Sequence, residues 1–324
     1  MDQAFPLSQY PSTALYAFRV ILRPEQRGTL MPFNGDLVQG ALLKWIGAAA
    51  PEVATWLHEG QKRRLFTCSS LHFPFSSARI REAELSNTHL PLDPDKTYSI
   101  RFTLLHGKLF PLLYRAFMDY HLGNAFVPHT PFLHIGKQAF RLEGVLLGAD
   151  DPTGWTGYTT FHDLVQRTRQ VKRPDTLTLE FISLTTSNRG HYPPGSSAAT
   201  RRRDEPYFAR LPLPLYIFTS LMKRWEELAP PDMQDLIQQK CIQCYLQDEG
   251  IFILDYELKT HHITFTTHTQ PGYIGTCTYS LRSDGLTDAS SLTIQQQLHL
   301  LADLAFYCGI GYKTAMGMGQ ARKI

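Results

Sequence analysis

The chain has 324 residues and a mass of 36.9 kDa, of which 43% are apolar and 12% aromatic. That much apolar surface offsets the entropy of ordering the chain, which excludes intrinsic disorder and favours two domains of roughly 150 residues each. With 32 Lys and Arg against 29 Asp and Glu the formal charge is only +3, so attraction to a polyanion has to come from local clusters.

In chain order, Ala14 to Ile21 is a β-branched and aromatic run that reads as a strand. A helix opens near Asn34, with Val38, Ala41, Leu42, Trp45 and Ile46 at helical spacing. Pro51 suits the first turn of a second helix, Glu52 to Glu59, whose apolar side carries Val53, Trp56 and Leu57 with His58 beside them. Leu65 to Leu71 and Thr97 to Leu105 read as strands, Lys108 to Tyr120 as a helix, and Leu133 to Leu147 as a strand. The second half repeats this order. Thr176 to Leu184 is a strand, Tyr207 to Leu228 mostly helix, Ile251 to Thr260 and Gly272 to Leu281 strands, Leu292 to Tyr307 a helix, and a last strand lies near Met318 to Lys323.

A β-α-β-β-α-β order met twice predicts an α+β protein of two tandem ferredoxin-like, RRM-like domains, 1–150 and 151–324. The join is expected in Ala149 to Pro174, which is weak in apolar periodicity. Division at residue 150 leaves 15 basic and 12 acidic residues before it and 17 of each after it, so neither half is a basic tail.

The 5 cysteines are odd in number and scattered, which fits a reducing cytoplasm better than a disulfide framework. Cys241 and Cys244 form a CxxC with no second pair and no nearby His, and read as buried thiols on a helix rather than a zinc site. No stretch is long and apolar enough to span a membrane, and the N-terminal residues lack the basic and apolar regions of an export signal.

Between the last helix and strand stand Gly309, Gly311, Gly317 and Gly319, four glycines in eleven positions with Lys313 among them. Such a loop needs positive φ or very close approach by another group. A phosphate cradled by successive N–H groups and a lysine is one candidate, and a flexible turn is the other. Neither a P-loop nor a dinucleotide fingerprint is present.

Placed after an amphipathic helix at the end of a doubled ferredoxin-like pattern, this loop resembles that of the CRISPR repeat-processing endoribonucleases of the RAMP superfamily. Trp56-Leu57-His58-Glu59, a short basic loop and Leu65-Phe66-Thr67-Cys68-Ser69 are similar to the stretch that carries the family's catalytic histidine, and His58 matches it. Leu179 to Thr186, Phe218 to Trp225 and Gly272 to Thr276 are similar to further family segments in the same order. One departure is on the first helix. Val38 to Trp45 offers no tyrosine or histidine as a second catalytic group; Leu43 sits near that place and Lys44 is adjacent. In Lys62-Arg63-Arg64, Arg64 best fits the spacing of the family's lysine, with Lys62 as the alternative.

The resemblance implies cleavage of CRISPR repeat transcripts (pre-crRNA) by their own 2′-hydroxyl, leaving a cyclic phosphate and a 5′-hydroxyl. His58 would act as acid or base, and Arg64, Lys62 or Lys44 would stabilise the charged phosphorus. A histidine at a helix end and basic residues in a loop also have ordinary structural readings. No cofactor is implied, and no metal is expected, because paired carboxylates on one face are lacking and neighbouring His261 and His262 would point to opposite faces of a strand. The implied partners are repeat RNA, the mature crRNA and subunits of a Cascade-type effector complex, serving defence or a CRISPR-associated transposon. A crRNA-binding subunit without activity is the other reading.

For binding, Arg167 to Arg210 holds nine basic residues against four acidic ones. The run Arg201-Arg202-Arg203 in a Gly, Ser and Pro-bearing loop suits contact with RNA phosphates, and Arg322 and Lys323 would extend the basic surface beside the glycine loop.

Overall fold

The computed structural model describes residues 13–59, 64–113, 132–188, 208–265, 268–283 and 292–324. The chain divides into two compact units. The first takes Met1–Thr160 together with Ala315–Gly317, and the second Phe161–Thr314 with Met318–Ile324.

In the first unit the elements are β1 (Ala14–Pro24), β2 (Gly28–Leu30), α1 (Gly35–Ala49), α2 (Pro51–Glu59), β3 (Phe66–Cys68), α3 (Ser77–Leu85), β4 (Leu90–Leu92), β5 (Tyr98–Leu104), β6 (Phe132–Ile135), β7 (Gln138–Leu147) and β8 (Gly157–Thr160). The main sheet runs β3-β5-β1-β7-β6, every pairing antiparallel, and β8 pairs with the start of β1. Counting only β1, β3, β5 and β7, the spatial order is second, third, first, fourth, which is the ferredoxin-like permutation. Alternation in β1 explains the burial. Phe18, Val20 and Leu22 join Ile100 and Phe102 of β5 on the face packed against Val38, Leu42 and Ile46 of α1 and Val53 and Leu57 of α2.

In the second unit α4 (Phe161–Arg169), β9 (Thr176–Thr185), β10 (Ser187–Asn188), β11 (Phe208–Ala209), α5 (Pro214–Leu228), α6 (Gln239–Gln247), β12 (Ile251–Thr264), β13 (Thr269–Leu281), α7 (Ile294–Cys308) and β14 (Ala321–Lys323) follow. The four-stranded sheet is β12-β13-β9-β14, the same permutation as before. Leu177, Leu179 and Phe181 of β9 are buried with Ile217, Phe218 and Leu221 of α5 and Leu298, Leu301 and Ala305 of α7. A capping box of Thr293 and Gln296 starts α7, and Gly309, at φ +68, ends it.

Several boundaries depart from the sequence reading for local reasons. The expected strand Leu65 to Leu71 is only Phe66–Cys68, because the Leu71 N–H donates to the Asn34 side chain at 2.9 Å and leaves the ladder. Leu133 to Leu147 is a hairpin of two strands, turning through Gly136 at φ +61 in a two-residue loop. Tyr207 to Leu228 turns helical only from Pro214, after the short strand at Phe208–Ala209. The helix expected over Lys108 to Tyr120 begins as a 3-10 turn at Gly107–Leu109, and from residue 114 it lies outside the described residues. Ala149 to Pro174 contains β8 and α4, whose buried Phe161, Leu164, Val165 and Thr168 do follow helical spacing. Cys241 and Cys244 are on a helix, as expected, but exposed: Ile242 and Tyr245, one position further on, take the buried face of α6. Among the described residues no helix is long and apolar enough to cross a membrane.

Candidate nucleic-acid interface

The glycine-rich segment is shaped by the protein's own backbone. Gly309, Gly311, Gly317 and Gly319 have φ of +68, +85, +89 and +71, a region that residues with a side chain rarely adopt. Close approach adds to this. A Cβ at Gly311 would stand 2.1 Å from the Thr186 carbonyl oxygen, and one at Gly319 would stand 2.2 Å from that of Ile310. The N–H groups that suggested an anion cradle are largely engaged within the chain: Ile310 donates to Gly319 O at 2.8 Å, Tyr312 to Thr186 O at 2.9 Å, Gly319 to Leu184 O at 3.0 Å and Gly311 to Ser220 Oγ at 3.2 Å. One of these bonds is within the loop, and the other three tie it to Leu184, Thr186 and Ser220 of the second unit. Its cation is Lys313, itself at φ +56, whose Nζ lies 2.8 Å from His268 Nε2.

Within the first unit Ala315–Gly317 is seated where α1 begins and β3 ends. The Ala315 carbonyl accepts from the Cys68 thiol at 3.0 Å, and Gly317 lies against Gly35, Phe33 and Ser70. Burial pushes the Cys68 thiol far above its ordinary pKa, so it serves as a donor and not as a nucleophile. Asn34, 1% exposed, fixes the seat from below. Its Oδ1 accepts from Leu71 N–H at 2.9 Å, its Nδ2 donates to Met31 O at 2.9 Å, and its own N–H reaches Ser70 Oγ at 3.3 Å. The start of α1, the end of β3 and Ala315–Gly317 are thereby held together within the first unit.

The catalytic candidates lie on α1 or on segments next to α1 and β3 in the chain. His58 is in α2, which packs on α1, but its side chain lies outside the described residues. Lys44 is exposed on α1, Arg64 is half-buried two residues before β3, and Lys62 lies outside the described residues. Arg201, Arg202 and Arg203 lie outside them too. Arg322 and Lys323, expected to extend a basic surface, are ion-paired: Arg322 Nε to Glu180 Oε2 at 2.6 Å and Lys323 Nζ to Asp303 Oδ2 at 2.7 Å. Among the described residues no group of three or more His, Cys, Asp or Glu is placed to hold a metal ion. Sequence reasoning passed over Asn34 and Ser70 as the seat, and Phe265 and His268 beside Lys313. The first pair was signalled only by an Asn-Gly-Asp helix start, and the second by nothing local.

Each unit holds a sheet in the ferredoxin-like order, and the glycine-rich segment stands between the last helix and the last strand. The family model of the CRISPR-associated endoribonuclease Cas6 matches residues 179–321, which includes the whole glycine segment. Among solved structures, a product complex of a Thermus thermophilus Cas6 shares the fold at a TM-score of 0.69 and 22% identity, covering 97% of this chain and 100% of that one. That protein in another structure gives 0.63 at 21%, covering 97% and 99%. The product complex of a further Cas6 gives 0.63 at 22%, covering 96% and 99%. No curated protein matches the chain. The chain thus carries the Cas6 family signature over residues 179–321, less than half of its length, and shares the fold of solved Cas6 structures along nearly all of it.

Proposed function

We propose that this protein is a metal-independent endoribonuclease that cuts CRISPR repeat transcripts and keeps the mature crRNA for a Cascade-type effector complex in the cytoplasm. The observation that carries this reading is the Cas6 family match over residues 179–321, which contains the glycine segment.

In the proposed step the 2′-oxygen of the RNA attacks the neighbouring phosphorus and the bond from phosphorus to the 5′-oxygen breaks. The 2′ proton leaves to a base, a proton goes to the 5′-oxygen from an acid, and a cyclic phosphate and a 5′-hydroxyl result. Because the nucleophile belongs to the substrate, no water has to be activated, which is the usual task of a metal. His58 is assigned one of the two proton transfers, since an imidazole with a pKa near about 6.5 exchanges protons near neutrality. Arg64, with Lys62 and Lys44 as alternatives, stabilises the charge on phosphorus. The seat at Asn34 supports this reading, because it fixes one end of α1 against β3, and the candidates lie on α1, on the adjoining α2 and just before β3. Arg201, Arg202 and Arg203 supply phosphate contacts.

One observation favours a second reading, a crRNA-binding subunit without activity: α1 carries neither tyrosine nor histidine between Val38 and Trp45. His58→Ala separates the two. In an enzyme, cleavage of the cognate repeat falls by about 10²–10⁴-fold while repeat affinity stays within twofold. A wild type that binds the repeat and never cuts it leaves only the binding subunit.

A further inference from the structure

Where β12 ends and β13 begins, Phe265 and His268 meet Lys313 of the glycine loop in the second unit. Phe265 N–H donates to His268 O at 2.8 Å and closes the hairpin. The two rings are parallel to within 9°, with centroids 4.9 Å apart. From the glycine loop, Lys313 Nζ stands 3.6 Å from the Phe265 centroid and 2.8 Å from His268 Nε2. Groups stacked on opposite faces of one ring would lie roughly 7 Å apart. The imidazole and the ammonium therefore share one face of Phe265 and form a single layer above it.

Three properties of this layer point to one class of ligand. An ammonium has only donors, so Nε2 accepts and the imidazole is neutral. Partial desolvation, and after it the Lys313 charge, lowers the His268 pKa and keeps it so at neutral pH. His268 is exposed, and Tyr312, 36% exposed, stands 5.5 Å from the ammonium. A neutral heteroaromatic face edged by a cation fits a nucleobase stacked on the ring with its phosphate drawn to the lysine. A base inside a duplex has both faces covered by its neighbours, so only an unpaired nucleotide can use such a surface.

We propose that Phe265, His268 and Lys313 form a stacking platform for one unpaired nucleotide of the bound RNA. The inference rests on the reading of this chain as an RNA-binding protein and adds a place where single-stranded sequence is held. Phe265 supports the layer, His268 offers the ring face, and Lys313 supplies the charge.

The test uses the full chain and a single-stranded RNA hexanucleotide carrying one 2-aminopurine, whose fluorescence is quenched by stacking. Binding to the wild type is expected to quench the probe. His268→Ala is expected to abolish the quench and weaken binding about tenfold, and His268→Phe to restore both. A probe with an abasic site in place of the 2-aminopurine should bind the wild type about tenfold more weakly and be indifferent to His268→Ala. Equal affinity for the two probes, or an unchanged quench in His268→Ala, overturns the platform. Cleavage of the cognate repeat is scored on the same preparations. An uncut repeat with the quench intact supports the platform and removes the catalytic reading, whereas normal cleavage without any quench removes only the platform.

Discussion

Of the three glycines in helix α1, Gly35 and Gly40 should move stability in opposite directions when replaced by alanine. Gly35, in the first turn, has a backbone conformation open to any residue, yet its Cβ would lie 2.2 Å from the Met316 carbonyl oxygen and 2.7 Å from Gly317 Cα. Both are backbone atoms that cannot rotate away, and Met316 is held between Ala315, bonded to the Cys68 thiol at 3.0 Å, and Gly317, packed on Ser70. Overpacking of this kind costs about 1–3 kcal/mol, against a helix-propensity gain of at most ~1 kcal/mol, so Gly35→Ala should destabilise by about 1–2 kcal/mol. Gly40 is exposed, with nothing within 4 Å of its would-be Cβ, so Gly40→Ala keeps only the propensity term and should stabilise by about 0.5–1 kcal/mol. Urea unfolding followed by tryptophan fluorescence reads both midpoints. If Gly35→Ala raises the midpoint as Gly40→Ala does, Ala315–Gly317 is not seated on α1 and the account of that seat fails.

The remaining predictions concern charge. Burial pushes the Asp151 carboxyl up, but hydrogen bonds from Thr153 and Arg19, the latter at 3.0 Å, outweigh that and hold it below the usual carboxylate range. Its contribution is therefore full above the unfolded value near about 4 and is lost as pH falls through the folded one, so Asp151→Asn should destabilise at pH 7 and narrow the gap to wild type as pH drops below about 4. A constant gap across that window would contradict the assignment. Replacing Arg201, Arg202 and Arg203 by alanine should weaken repeat binding and reduce the slope of log affinity against log salt by about 2–3, as expected for three phosphate contacts. An unchanged slope places the basic contacts elsewhere.

Much of the fold was legible because strand and helix periods differ and the chain keeps to them. The β-branched and aromatic run from Ala14 to Ile21 predicts β1, and Val38, Leu42 and Ile46 mark the inner face of α1. The repeated β-α-β-β-α-β order then limits topology to the permutation both sheets adopt. Short elements were not legible. Gly28–Leu30 and Leu90–Leu92 pair across sixty residues of chain, and a three-residue strand carries no period of its own. Helix α3 was missed because Ser77–Leu85 buries only Ala83. At the interface, the four glycines announced positive φ, and the structure bears that out, but what fills the space beside them is the chain's own backbone at Thr186, Ile310 and Gly35. Such contacts join residues far apart in sequence, so no local pattern encodes them. The same holds for Arg322 and Glu180, whose pairing on adjacent strands neutralises a residue that sequence alone counts as a free cation.

The central claim is that the RNA supplies its own nucleophile to this protein. It is tested most directly by incubating the full chain in EDTA with its cognate repeat RNA and with the same RNA carrying one 2′-deoxy nucleotide at the cleavage position. The account predicts that the first is cut to a cyclic phosphate and a 5′-hydroxyl and the second is bound but left whole. Cleavage of the 2′-deoxy substrate, or a requirement for added divalent metal, would contradict it.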